Sequence, residues 1–313
     1  MRLTAVALLS AAVASAHPNP GDKLNKPPVH PNLDYLEAGL EEYLPETSYT
    51  LHEWNNGYIP EQCKKIVTGG VDPGTHFNPA DIQTFDVKYA DCGDPWVFCH
   101  HRNSNASIDT MARQFGKLPI QMRQWVRHVI DLPDKGRHAY EWDGTVTFFA
   151  AGEHMMTVIA HETGHSLDLS GAYPDRSLSN SDRWWREYDQ DSHVPDPYSA
   201  SNAIEDVAQN TVVAVHDVNV PGGYPGVEPG WAGIVHQLHL VEAEAREAGE
   251  GNSILIPGHN RQCTHRMPAS KPVPIGGGGK RRGAAPDVSL RSGVEVIDTS
   301  GRQQKHSRCT MTW

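Results

Sequence analysis

The sequence predicts an α+β chain: a small mixed sheet packed by longer helices, two of which face each other. Three short segments rich in β-branched and aromatic residues, 85–89, 96–100 and Thr145–Phe149, read as strands. Three longer stretches, 153–171, 201–215 and 234–248, carry apolar residues at helical spacing.

The elements follow in order. Residues 1–16 read as a secretory signal: Arg2 starts it, 6–13 form the apolar core, and Ala14-Ser15-Ala16 ends it. Residues 17–35 form a Pro-rich arm expected to be extended and poorly ordered. Residues 36–44 form a short amphipathic helix. The strands 85–89 and 96–100 are joined by the turn signals Cys92-Gly93-Asp94-Pro95. Residues 111–130 are mostly helical in pattern, interrupted near Gly116-Lys117-Leu118-Pro119. Between 171 and 200 lies an aromatic, polar loop holding Trp184, Trp185, Tyr188 and Tyr198. Residues 221–229 break the chain again before the last helix. From 271 to 313 the composition turns to Pro, Gly and basic residues, a tail expected to be disordered. The domain is therefore placed at 36–270.

Composition narrows the function. The formal net charge of −11 disfavours nucleic acid or an anionic membrane as partner. Apart from the signal, no apolar run approaches the ~20 residues that span a bilayer. The expectation is a secreted, extracellular monomer. Five cysteines fit an oxidising compartment. Cys92 and Cys99 bracket a short turn and suit a local bridge, which would pair Cys63 with Cys263 and leave Cys309 free. Asn105-Ala106-Ser107 is a glycosylation sequon expected on a surface loop.

Chemistry concentrates at His161-Glu162-Thr163-Gly164-His165. On a helix, His161 and His165 share one face and can reach one ion. Glu162 stands about 100° away, beside the ion, as a base for a metal-activated water. A catalytic zinc takes three protein ligands. A third histidine from a short-spacer motif is excluded, because position 168 is Asp168 and position 171 is Gly171. Asp168 is too close along the helix to be a natural third ligand, though it could orient a histidine. A carboxylate on the second helix is the natural choice, Glu205 or its neighbour Asp206. Ala208, one turn after Glu205, is small enough for close helix approach.

His161-Glu162-x-x-His165 followed by Glu205-x-x-Ala208 resembles the gluzincin zinc peptidases, nearest to the anthrax-lethal-factor-like group. Tyr198, seven residues before Glu205, occupies the position of that group's tyrosine. The resemblance implies a zincin-like fold with His161, His165 and Glu205 holding zinc. It also implies Glu162 as general base and Tyr198 as donor to the developing oxyanion. The Thr145–Phe149 strand would then form the cleft edge and hold a peptide or protein substrate by strand addition. Across 17–275 the chain also resembles the conidiation-specific secreted proteins of filamentous fungi.

Two other readings compete. One is a secreted zinc-binding structural or interaction protein without turnover, although a structural site needs no base such as Glu162. The other is copper chemistry at an amino-terminal His17 or at His100-His101, a pair that a strand would point to opposite faces.

Overall fold

A computed structural model of the chain describes residues 19–133, 138–258, 263 and 265–276, with 285–286, 295–296 and 311–312. The signal, His17 and Cys309 lie outside the described residues. In chain order the elements are α1 (Glu37–Tyr43), β1 (Tyr49–Glu53), β2 (Tyr58–Pro60), α2 (Glu61–Val67), β3 (Ile82–Tyr89), β4 (Trp96–His101), α3 (Ile108–Lys117) and α4 (Ile120–Arg123). Then come β5 (His128–Leu132), β6 (His138–Trp142), β7 (Thr145–Phe149), α5 (Met156–Leu169), α6 (Asp182–Gln190), α7 (Ala203–Asn219) and α8 (Val235–Ala248). Short strands β8 (His265–Arg266), β9 (Pro272–Pro274), β10 (Glu295–Val296) and β11 (Met311–Thr312) follow.

The fold is α+β, as expected. Six strands form a mixed sheet in the order β1-β3-β4-β5-β7-β6, and β11 extends it beyond β6. The central strands β4, β5 and β7 are parallel, and the outer pairings are antiparallel. Side chains alternate between two buried layers, as the pleat requires. Phe98, Val129, Val146 and Phe148 face the large helical core. Cys99, Ile130 and Phe149 face a smaller core that includes Cys63, Ile66 and Val67 of α2. With both faces covered, β5 and β7 are buried along their whole length.

The large core is where the two central helices meet. Helices α5 and α7 form the most extensive contact between elements. Helix α5 starts on a borrowed cap: the Glu37 carboxylate of α1 accepts from Met156 N at 2.7 Å and Thr157 N at 2.8 Å. Asn202 caps α7 by accepting from Ile204 N and Glu205 N at 3.0 and 3.1 Å.

Several expectations are corrected. The pattern over 111–130 ends as strand β5, because apolar Val129-Ile130 serve a buried strand as well as a helix. The aromatic loop contains helix α6, capped by Ser181, with Trp184, Trp185 and Tyr188 buried. The arm is docked rather than loose. Val29 N donates to Val194 O at 2.8 Å, His30 N to Pro195 O at 3.1 Å and Leu24 N to Ala200 O at 3.0 Å. The tail's first residues are also engaged: β9 pairs antiparallel with β2. Strand β7 is no edge, since β5 and β6 flank it, so it has no free side for a substrate strand.

The disulfides are Cys63–Cys99 and Cys92–Cys263. Cys92 and Cys99 cannot be the local pair because the sheet separates them. Cys99 points into the α2 layer beside Cys63, and Cys92 joins the helical core with Cys263. Two disulfides fit a secreted protein. Among the described residues no helix is long and apolar enough to cross a membrane. Asn105 is exposed in the loop before α3, as a sequon requires.

Candidate metal centre

The first two donors come from α5. Its residues 156–168 are all buried, so both imidazoles sit in the core rather than at the surface. His161 Nε2 and His165 Nε2 lie 3.0 Å apart. Helix α7 brings Glu205 opposite them, with Oε2 at 3.2 Å from His161 Nε2 and 3.3 Å from His165 Nε2. A tetrahedral ion with bonds of about 2.0–2.1 Å spaces its ligand atoms about 3.3 Å apart. The three donors thus form the base of such a tetrahedron. Two imidazole nitrogens and a carboxylate oxygen also suit zinc chemically. Among the described residues this is the one cluster of three or more His, Cys, Asp or Glu arranged to hold a metal.

The helices come this close because of two small residues. A Cβ on Gly164 would stand 3.1 Å from Thr211 Cβ and 3.2 Å from Ala208 Cα. Glycine in mid-helix costs about 1 kcal/mol relative to alanine. Here it is what lets α7 carry Glu205 within reach of both histidines.

Burial and neighbouring charge set the electrostatics of the site. Burial would raise the Glu205 carboxyl, but its contacts with His165 and His161 outweigh burial and hold it below the usual range. Burial holds His165 below the usual imidazole value, in the neutral form a ligand needs. Glu162 is fully buried, and neither carboxylate oxygen has a hydrogen-bond partner among the described residues. Burial, then the Glu205 and Glu141 carboxylates, push it well above the usual range. A buried, orphaned carboxylate is costly unless something at the site compensates it.

The remaining residues sort clearly. Tyr198 is half-buried with its ring centroid 5.6 Å from that of His161. Asp206 turns away: Gln237 Nε2 donates to its Oδ2, and Asn210 Nδ2 donates to its Oδ1 at 3.1 Å. Burial pushes Asp206 well above the usual range as well. Asp168 does not orient a histidine. It accepts from Ser179 N at 3.1 Å and so ties down the turn after α5. The residue that does meet a histidine is Gln209, whose Oε1 lies 3.0 Å from His161 Nδ1. Sequence reasoning passed it over, although Gln209 stands one helical turn after Glu205 and so on the same face. His100 pairs with Asp131 at 2.9 Å on neighbouring strands, apart from this centre.

The family described as conidiation-specific protein Con-13 matches residues 31–241, a span that contains the whole centre. Conidiation-specific protein 13 of Neurospora crassa is 29% identical over 309 residues, covering 96% of this chain and 87% of its own length. No solved structure matches.

Proposed function

The chain belongs to the Con-13 family of conidiation-specific proteins, and we propose that it is a secreted zinc-dependent peptidase of gluzincin type. One observation carries the reading: three donor atoms converge at 3.0–3.3 Å beside a buried carboxylate without a hydrogen-bond partner among the described residues. His161 Nε2, His165 Nε2 and Glu205 Oε2 would hold the zinc. Zinc bound there supplies Lewis-acid polarisation of a peptide carbonyl and activation of a water. Glu162 accepts the proton of the attacking water and returns it to the departing amine nitrogen. The Tyr198 hydroxyl donates to the oxyanion as it develops, a contribution of about 3–4 kcal/mol in comparable sites. The surrounding core excludes bulk water, which strengthens each of these interactions.

A second reading has one observation in its favour. The ligands and Glu162 are almost wholly buried, as befits a structural ion in a secreted zinc-binding protein without turnover. Glu162, without a hydrogen-bond partner among the described residues, counts against it.

The test is metal analysis and a proteolysis assay on the purified chain beside Glu162→Gln. Peptidase chemistry predicts about one zinc per chain in both proteins and hydrolysis only in the wild type. Zinc without hydrolysis in either protein would favour the second reading. Equal turnover in the two would remove Glu162 as the base.

A further inference from the structure

We propose that Asp196 is a positioning residue with two tasks: it fixes the ring tautomer of His161 through Gln209, and it seats the turn that carries Tyr198. The inference rests on the zinc-centre reading above. It starts from a buried chain of polar groups. Asp196 Oδ2 accepts from Gln209 Nε2 at 2.7 Å, and Gln209 Oε1 faces His161 Nδ1 at 3.0 Å. Asp196 Oδ1 accepts from Ser199 N at 2.8 Å and from Ser199 Oγ at 2.9 Å. Asp196 is 3% exposed, and Gln209, Ser199 and His161 are fully buried.

The chemistry of each group dictates the next. The Asp196 carboxylate oxygen accepts from the NH₂ side of the Gln209 amide. The amide carbonyl is then left for the imidazole and requires a proton on Nδ1. With Nδ1 protonated, Nε2 keeps its lone pair for the ion that it would share with Glu205 Oε2 and His165 Nε2. Such outer partners of metal-binding histidines typically change metal affinity about 10–100-fold when removed. The other Asp196 oxygen closes a turn over 196–199, and Tyr198 sits inside that turn. One carboxylate therefore sets a ligand's tautomer and the place of the residue assigned to the oxyanion.

Three variants separate the tasks. Asp196→Asn offers a donor to Gln209 and should turn its amide around. Gln209→Met removes the acceptor and leaves Asp196 intact, which covers a folding defect in the first variant. Both should weaken zinc about 10–100-fold in competition with a chelator. In the metal-free protein both should move the His161 ring ¹⁵N shifts away from the Nδ1–H tautomer, the signals being assigned with His161→Gln. Ser199→Ala should keep zinc affinity and the His161 tautomer while lowering kcat several-fold at unchanged KM. Wild-type zinc affinity together with a wild-type His161 tautomer in both Asp196→Asn and Gln209→Met would overturn the proposal. A wild type that binds no zinc would instead defeat the zinc reading, and the metal-free tautomer would still report on Asp196.

Discussion

Gly164 of α5 lies against Ala208 of α7 so closely that a Cβ on the glycine would come within 3.2 Å of the Ala208 Cα. That contact sets the distance from Glu205 to the histidines. Gly164→Ala has to push the helices apart by a few tenths of an ångström. The helix-propensity gain of about 1 kcal/mol is opposed by overpacking of about 1–3 kcal/mol. The expected outcome is a folded protein with weaker zinc binding, read by chelator competition beside thermal unfolding. Unchanged affinity would mean that Glu205 does not depend on this contact.

The two adjacent acids should respond in opposite ways. Glu205→Ala removes a donor 3.2–3.3 Å from both histidines and should abolish zinc binding. Asp206→Ala should keep zinc but lose stability, about 1–3 kcal/mol, since Gln237 and Asn210 lose a buried acceptor. Metal content and denaturant melts of the two variants decide this. Tyr198→Phe should retain zinc and slow turnover about 10²–10³-fold.

Stability should fall with rising pH through Glu141. Burial pushes this β6 carboxyl up to about 8, although Gly144 N donates to it. Its value in an unfolded chain is about 4.3. The folded state therefore holds the proton more tightly. Its contribution is complete below about pH 4 and is lost as pH climbs to about 8. Asp168, raised by burial to about 6, acts in the same direction over the lower part of that window. Glu141→Gln keeps an acceptor for Gly144 and removes the titration. The metal-free variant should be more stable than wild type at pH 8 by an amount of order a few kcal/mol. The gap should close towards pH 4, and parallel pH profiles would contradict it.

The docked arm predicts that it is a strut and not a removable pro-segment. Leu24 is 4% exposed, and the arm's backbone pairs with Val194, Pro195 and Ala200 around the Tyr198 turn. Deleting residues 17–30 should lower the melting temperature and reduce turnover while zinc stays bound. A rise in activity on deletion would mark the arm as inhibitory.

Non-reducing peptide mapping should recover Cys63 joined to Cys99 and Cys92 joined to Cys263. The first bridge spans a sequence separation of 36. Replacing both of its cysteines by serine should cost about 2–4 kcal/mol, read from denaturant melts.

Much of the centre was legible because its rules are local. His161 and His165 are one turn apart on any helix, and Glu205 stands three residues before small Ala208. The strands β5 and β6 were not legible as such. Val129-Ile130 fit either period, although Asp143-Gly144, both at positive φ between β6 and β7, is a two-residue hairpin signal. The docked arm gave no periodic signal, because its bonds run to residues more than 160 positions away.

By itself, then, the sequence determined the α+β class, the helix carrying His161, Glu162 and His165, and a carboxylate helix to face it. Tertiary structure turned Glu205, which the spacings to Ala208 and Tyr198 already favoured, towards the histidines and Asp206 away to Gln237 and Asn210. It also decided the cysteine partners, because the two faces of a sheet cannot be told apart along a turn. Gln209 and Asp196 became partners of His161 only when α5, α7 and the Tyr198 turn closed into one buried space. Hydrogen bonds between distant segments follow from that closure, and no local spacing in the chain encodes them.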